Sequence, residues 1–165
     1  MPHSHKPAWV HGHAHEPNPA PPSPEPTFVV RIPPQAPRSI TVADLQALPF
    51  THVSDCYIVS TGHGTSGPFA FGGVKLSTFL TAMLPSTPWH TLDVISGDGF
   101  GTRLTAADLA QETDIRPSLL AYLLDGRPLT RQKGLVRLIV PTEVDDALRQ
   151  VKWVAEVVVY TEAPA

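Results

Sequence analysis

Three groups of residues in this chain have the types and spacing to do chemistry. The first is Ser60-Thr61-Gly62-His63-Gly64-Thr65-Ser66-Gly67-Pro68. Glycines let successive backbone N–H groups converge on an anion, as in a nest, and Ser60 and His63 would then stand beside it. A plain surface turn between a strand and a helix explains the same composition. Neither Ser60 nor His63 has a triad partner evident in the sequence, so nucleophilic catalysis is not expected. The second is Cys56, the only cysteine, which excludes an intrachain disulfide and any Cys-rich zinc site. Its thiolate would be a soft metal or redox ligand. A lone cysteine in an apolar strand is more often a small buried side chain. The third is the alternating set His3, His5, His11, His13 and His15, whose imidazoles suit Ni, Cu or Zn. The simpler reading is a solubilising tail.

Those residues sit on a chain of 165 residues with a formal charge of −3. That length fits one domain and a tail, and that charge gives no basic face for nucleic acid or for an anionic membrane. No apolar run reaches the roughly 20 residues of a membrane span. The N-terminus has no apolar stretch of a secretory kind, so a soluble, cytoplasmic protein is expected. Nineteen prolines are present, and eleven of them fall between Pro2 and Pro37. Residues 1–26 are expected to be a disordered Pro/His-rich tail, because they offer too little apolar surface to offset ordering. Residues 27–161 are expected to form the domain, followed by a short end at 162–165.

Within the domain, Phe28-Val-Val-Arg-Ile32 reads as a strand. Residues 39–48 read as a helix with Thr41 as N-cap and Asp44 three residues on. The β-branched and aromatic stretch 50–60 reads as a strand and 61–68 as a loop. Apolar positions at 76, 79, 80, 83 and 84 predict a helix over 74–84. Residues 89–96 and 100–104 read as strands joined at Gly97-Asp98-Gly99, with Asp98 a turn former. Thr105 to Asp108 repeats the cap signature, and the run 119–124 ends in the turn pair Asp125-Gly126. Residues 135–140 and 151–160 supply two more strands. Short strands with a few short helices make the fold class α+β.

In order along the chain, four segments resemble the molybdopterin-binding domain of the sulfite oxidase family. They are Phe71-Gly-Gly-Val-Lys-Leu-Ser-Thr-Phe-Leu80; Ser96-Gly-Asp-Gly-Phe100 with Leu104-Thr-Ala-Ala-Asp108; Leu119-Leu-Ala-Tyr-Leu-Leu-Asp-Gly-Arg-Pro-Leu129, running through Gly134 into Val136-Arg-Leu-Ile-Val-Pro141; and Val151-Lys-Trp-Val154. The resemblance implies a mixed α+β domain that binds a molybdenum–pterin cofactor and performs two-electron oxygen-atom transfer, with one cysteine thiolate on the metal. The protein would supply position and electrostatics and the cofactor the reaction. By the same resemblance, Ser60, Thr61, Gly62, His63, Asp98, Arg137 and Lys152 would contact the cofactor in one pocket, Arg137, Lys152 and Arg149 holding its phosphate. On a strand of alternating pattern, Arg137 is expected to be half-solvated, and Trp153 is expected in the core.

The chain departs from that family at three places. Ser60 stands where the family has its cysteine. Cys56 comes four residues earlier, roughly 13 Å away at strand spacing. Residues 142–150 carry Glu143, Asp145 and Asp146 where a phosphate favours positive charge. The basic, His-containing segment upstream in larger members is missing. Three functional readings follow: a molybdopterin-dependent oxidoreductase-like domain, a non-catalytic pterin-, anion- or protein-binding module without molybdenum, and a metal-carrying accessory protein acting through its histidines. A serine at the ligand position and acid at 142–150 favour the second.

Overall fold

The structure, a computed structural model, describes residues 26–60, 64–113, 115–141 and 150–162. Two five-stranded sheets carry the domain. In the first, β1 (Phe28–Arg31), β2 (Arg38–Ile40), β5 (Thr91–Ser96), β6 (Gly101–Thr105) and β10 (Val154–Tyr160) run in the order β2-β1-β10-β5-β6. The pairing of β1 with β10 is parallel and joins the two ends of the domain; the others in this sheet are antiparallel. In the second, β3 (Thr51–Ser60), β4 (Gly64–Lys75), β7 (Leu119–Leu124) and β8 (Arg127–Pro128) are neighbours in that order, and β9 (Arg137–Ile139) pairs with β7. Three short helices, α1 (Val42–Gln46), α2 (Leu76–Met83) and α3 (Ala106–Ala110), complete a mostly β architecture.

Both predicted capping boxes form. Thr41 and Thr105 each accept from the backbone N–H of Asp44 and Asp108, and each carboxylate accepts in return from the cap's own N–H. The turn at Asp125-Gly126 is also present, with φ of 50° and 82°. The main core lies between the sheets and takes Phe28, Val94 and Val157 from one, Val74, Leu120 and Leu138 from the other, and Leu45, Phe79 and Leu109 from the helices. A second cluster, Val53, Cys56, Phe71, Leu119, Ala121, Leu129 and Ile139, covers the opposite face of the second sheet. Strand β7 therefore buries both of its faces, with Leu120 and Tyr122 on one and Leu119 and Ala121 on the other. This is why residues 119–124 read as a continuous apolar run and not as an alternation.

Several element boundaries differ from expectation, most by one or two residues; four show why. Residues 64–68 are strand and not loop, because β4 is paired to β3 from Ser60↔Gly64 down to Thr51↔Gly73. The helix expected from 74 begins at Leu76, since Val74 and Lys75 pair with Leu120 and Leu119. Residues 38–40 are strand, held by Val30↔Arg38 and Phe28↔Ile40, so the first helix starts only after Thr41. The strand expected over 151–160 begins at Val154; Val151 makes an isolated antiparallel bridge to Leu138. In the first three cases long-range pairing overrides local composition.

Candidate functional site

The turn at 130–135 and the segment 150–154 lie against β9 and build one basic site. Two non-glycine residues there adopt left-handed backbone, Leu135 at φ 57° and Trp153 at φ 48°, a conformation that persists only where its surroundings enforce it. The enforcing bonds are evident. Trp153 N–H donates to the Gly134 carbonyl (2.9 Å) and Val154 N–H to the Val136 carbonyl (3.0 Å), while the Trp153 indole N–H donates to the Arg131 carbonyl (2.6 Å). Gly97 N–H donates to the Trp153 carbonyl (2.9 Å) and brings the β5–β6 turn to the same place.

Arg137 is the centre of this arrangement. It is only 5% exposed, and its guanidinium lies 5.7 Å from the centroid of the Phe71 ring. The small Ala121, paired with Arg137 across β7–β9, leaves room for that reach to β4. One guanidinium nitrogen donates to the Lys133 carbonyl (3.2 Å), and Nε has no hydrogen-bond partner. Burial pushes the pKa of Arg137 down to about 10, so the group is still cationic at pH 7. Gly134 has φ 110° and lies against the Arg137 stem, where an added Cβ would come 2.9 Å from Cγ. Lys152 is exposed, and its ammonium sits 5.6 Å over the Trp153 ring. Burial of its stem lowers its pKa, the charges of Arg137 and Lys133 lower it further, and Asp98 opposes them.

The structure therefore brings together Arg137, Lys152 and Asp98, three of the residues expected at the cofactor. Asp98 also shapes its own turn, accepting from the Phe100 N–H (3.1 Å). The expectation that Arg137 is half-solvated is corrected: with both faces of the second sheet covered, an alternating position on β9 points into protein. Trp153 is buried as expected. Ser60 closes the far end of β3, paired with Gly64. Thr51, Gly73, Ala121 and Arg137 form one row across the sheet, and Ser60 is nine residues along β3 from that row, about 30 Å of strand before its irregularities shorten it. Of the residues expected in one pocket, Arg137, Lys152 and Asp98 lie together, and Ser60 lies at the other end of β3. Thr61, Gly62, His63, Arg149, Glu143, Asp145, Asp146 and the histidines 3, 5, 11, 13 and 15 lie outside the described residues.

Cys56 is a core residue, 1% exposed. Its Sγ–H approaches the carbonyls of Val53 (3.6 Å) and Ser54 (3.7 Å). Arg116 holds the irregular stretch of β3 beside it, donating to the Ser54, Asp55 and Pro141 carbonyls, each at 3.1 Å. Burial raises the thiol's pKa despite the charge of Arg116. Sequence reasoning passed over Lys133 and Gln150; the visible signals were the basic turn ahead of Gly134 and the residue preceding the Val-Lys-Trp segment.

The chain belongs to the oxidoreductase molybdopterin binding domain family, whose profile it matches over residues 15–165. The match begins ahead of the boundary expected at 27. Among solved structures it is similar to the sulfane dehydrogenase SoxCD from Paracoccus pantotrophus, with a TM-score of 0.63, 22% identity, and coverage of 83% of this chain and 38% of that chain. That likeness shows the sulfite-oxidase-like fold, and this chain spans well under half of the larger protein. No curated protein matches it.

The described residues fit the two ends of a molybdenum–pterin group differently. The basic end fits: a buried guanidinium with an orphaned N–H, flanked by two lysines, is a donor set for a phosphate. The metal end does not. The one thiol is sealed in an apolar cluster, its pKa raised by burial.

Proposed function

We propose that this chain is a binding member of its family, holding the phosphate-bearing end of a pterin-type ligand, or a comparable small anion, at Arg137 and Lys152, without molybdenum ligation by Cys56. One observation carries the reading. A cation buried to 5% exposure with an unpartnered Nε–H stands beside two further cations, while the thiol of the chain faces its own backbone carbonyls. Burying a guanidinium is costly unless an anion completes its hydrogen bonds. The pinned turn at 130–135 pre-orients the donors, so little ordering is needed when an anion arrives. The cofactor of this family supplies oxygen-atom transfer where a thiolate holds its metal; that ligand is what the described residues lack.

Expression with molybdate in a host that makes the cofactor, followed by elemental and pterin analysis of the purified full chain, tests this reading. Molybdenum well below one atom per chain is the expected result. Near-stoichiometric molybdenum, lost on Ser60→Ala, would instead establish the oxidoreductase reading with Ser60 as ligand.

A further inference from the structure

The edge of the first sheet opens beside a cleft that the site at Arg137 does not use. Strand β2 is the edge strand, and its register with β1 sets Ile40 opposite Phe28 and Arg38 opposite Val30. Side chains directly opposed across such a pair leave the same face. Phe28, Val30 and Ile40 all belong to the main core, so Arg38 leaves the strand on the core side while remaining exposed. The cleft has a volume of about 230 Å³, and its walls include Arg38, Ile40, Asp44, Leu48, Phe79 and Met83. Phe79 and Met83 stand one helical turn apart on α2 and so share a face. Phe79 is anchored on Phe28, with ring centroids 5.9 Å apart. Leu48 and Met83 are half-buried against the core, and the flexible thioether of Met83 can adapt to what it meets.

The two charges at the cleft are engaged differently. Asp44 accepts from the Thr41 N–H (2.8 Å) and the Thr41 hydroxyl (3.1 Å), which commits its carboxylate to the start of α1. Its pKa is lowered first by those bonds and last by the charge of Arg38. Arg38 makes no hydrogen bond or ion pair among the described residues. The uncommitted charge is therefore positive, beside an apolar floor. A charge turned inward on an edge strand also discourages pairing with another sheet, but that role needs no cleft. We infer that the cleft binds a small carboxylate with an apolar body, the body lying on Leu48, Phe79 and Met83 and the carboxylate at Arg38. The site is independent of the anion-binding reading of Arg137.

NMR titration of the full chain with phenylacetate and with phenylacetamide, a probe of the same shape without the charge, tests this. Both should shift the amide signals of Ile40, Leu48 and Met83. Phenylacetate should bind about three- to five-fold more tightly, as an exposed ion pair allows. Arg38→Gln should remove that preference and leave phenylacetamide binding unchanged. Met83→Trp, which fills the cleft, should abolish both while phosphate binding at Arg137 persists. If Met83→Trp does not fold, Met83→Glu at this half-buried position should weaken phenylacetate more than phenylacetamide. Equal affinities in the wild type, or a preference that survives Arg38→Gln, overturn the carboxylate class and the role of Arg38. Absence of shifts at the cleft with millimolar probe overturns the site and leaves Arg38 as a guard of the sheet edge.

Discussion

Arg137 is where stability and binding oppose one another most directly. In the unfolded chain its guanidinium would hold its proton far into the alkaline range, and in the folded domain burial brings its pKa down to about 10. The folded state therefore binds fewer protons than the unfolded one between its folded and unfolded pKa. Stability should rise with pH across that window and be flat, with respect to this group, below it. At 1.36 kcal/mol per pKa unit, keeping the charge buried at pH 7 costs on the order of 3 kcal/mol. Replacing such a group by an apolar side chain of similar volume is often neutral or stabilising. Arg137→Met should accordingly melt at the same temperature as wild type or higher. Its affinity for inorganic phosphate should fall about 10- to 100-fold, the range for losing a charge-assisted hydrogen bond. Phosphate should also raise the wild-type melting temperature and leave that of the variant unmoved, because only a ligand that binds the native state stabilises it. A variant that loses stability while binding phosphate normally would make Arg137 a structural residue.

At the level of elements, the site depends on how closely β4 and β7 approach. Gly73 occupies the row that ends in Arg137, next to a register irregularity between Gly72 and Gly73. A Cβ on Gly73 would stand 2.1 Å from the Leu120 carbonyl oxygen and 2.8 Å from the Ala121 Cα, both of them backbone atoms that cannot rotate away. Gly73→Ala should therefore destabilise the domain by about 2–3 kcal/mol, as overpacking does. It should also weaken phosphate binding, since β7 lies between Gly73 and Arg137. Urea denaturation read together with phosphate titration checks both effects; wild-type stability in the variant would mean the sheet can open there freely. The same strand shows what the sequence could and could not tell. Thr41, Thr105 and Asp125-Gly126 act on neighbours within three residues, so their caps and turn were legible. Residues 64–73 hold four glycines and a proline, and local composition reads part of them as loop. Only pairing with β3 on one side and β7 on the other makes them strand. The burial of Arg137 was hidden for a related reason. An apolar-charged alternation looks the same whether the polar face meets water or a second cluster, and Phe71, which makes the difference, lies 66 positions away in the chain.

For the whole molecule, the distribution of histidines along the chain makes a prediction about metals. Within the described domain the two histidines are poorly placed to chelate. His52 is exposed on β3, and His90 is exposed with its Nδ1 engaged by the Thr91 hydroxyl. No group of three His, Cys, Asp or Glu side chains among the described residues is close enough to hold an ion. By contrast, His3, His5, His11, His13 and His15 recur at two- and six-residue intervals, which concentrates five imidazoles within thirteen residues. Imidazole nitrogens favour Ni, Cu and Zn in the borderline-soft range. Replacing all five with Gln should abolish retention of the full chain on a nickel resin at neutral pH. Acidification should release the wild-type chain in the same way, by protonating its ligands. Phosphate affinity at Arg137 should be untouched by the five substitutions, because that donor set uses none of these residues. Undiminished retention in the five-Gln variant would move the metal ligands into the domain, with His52, His63 and His90 as the side chains to replace next.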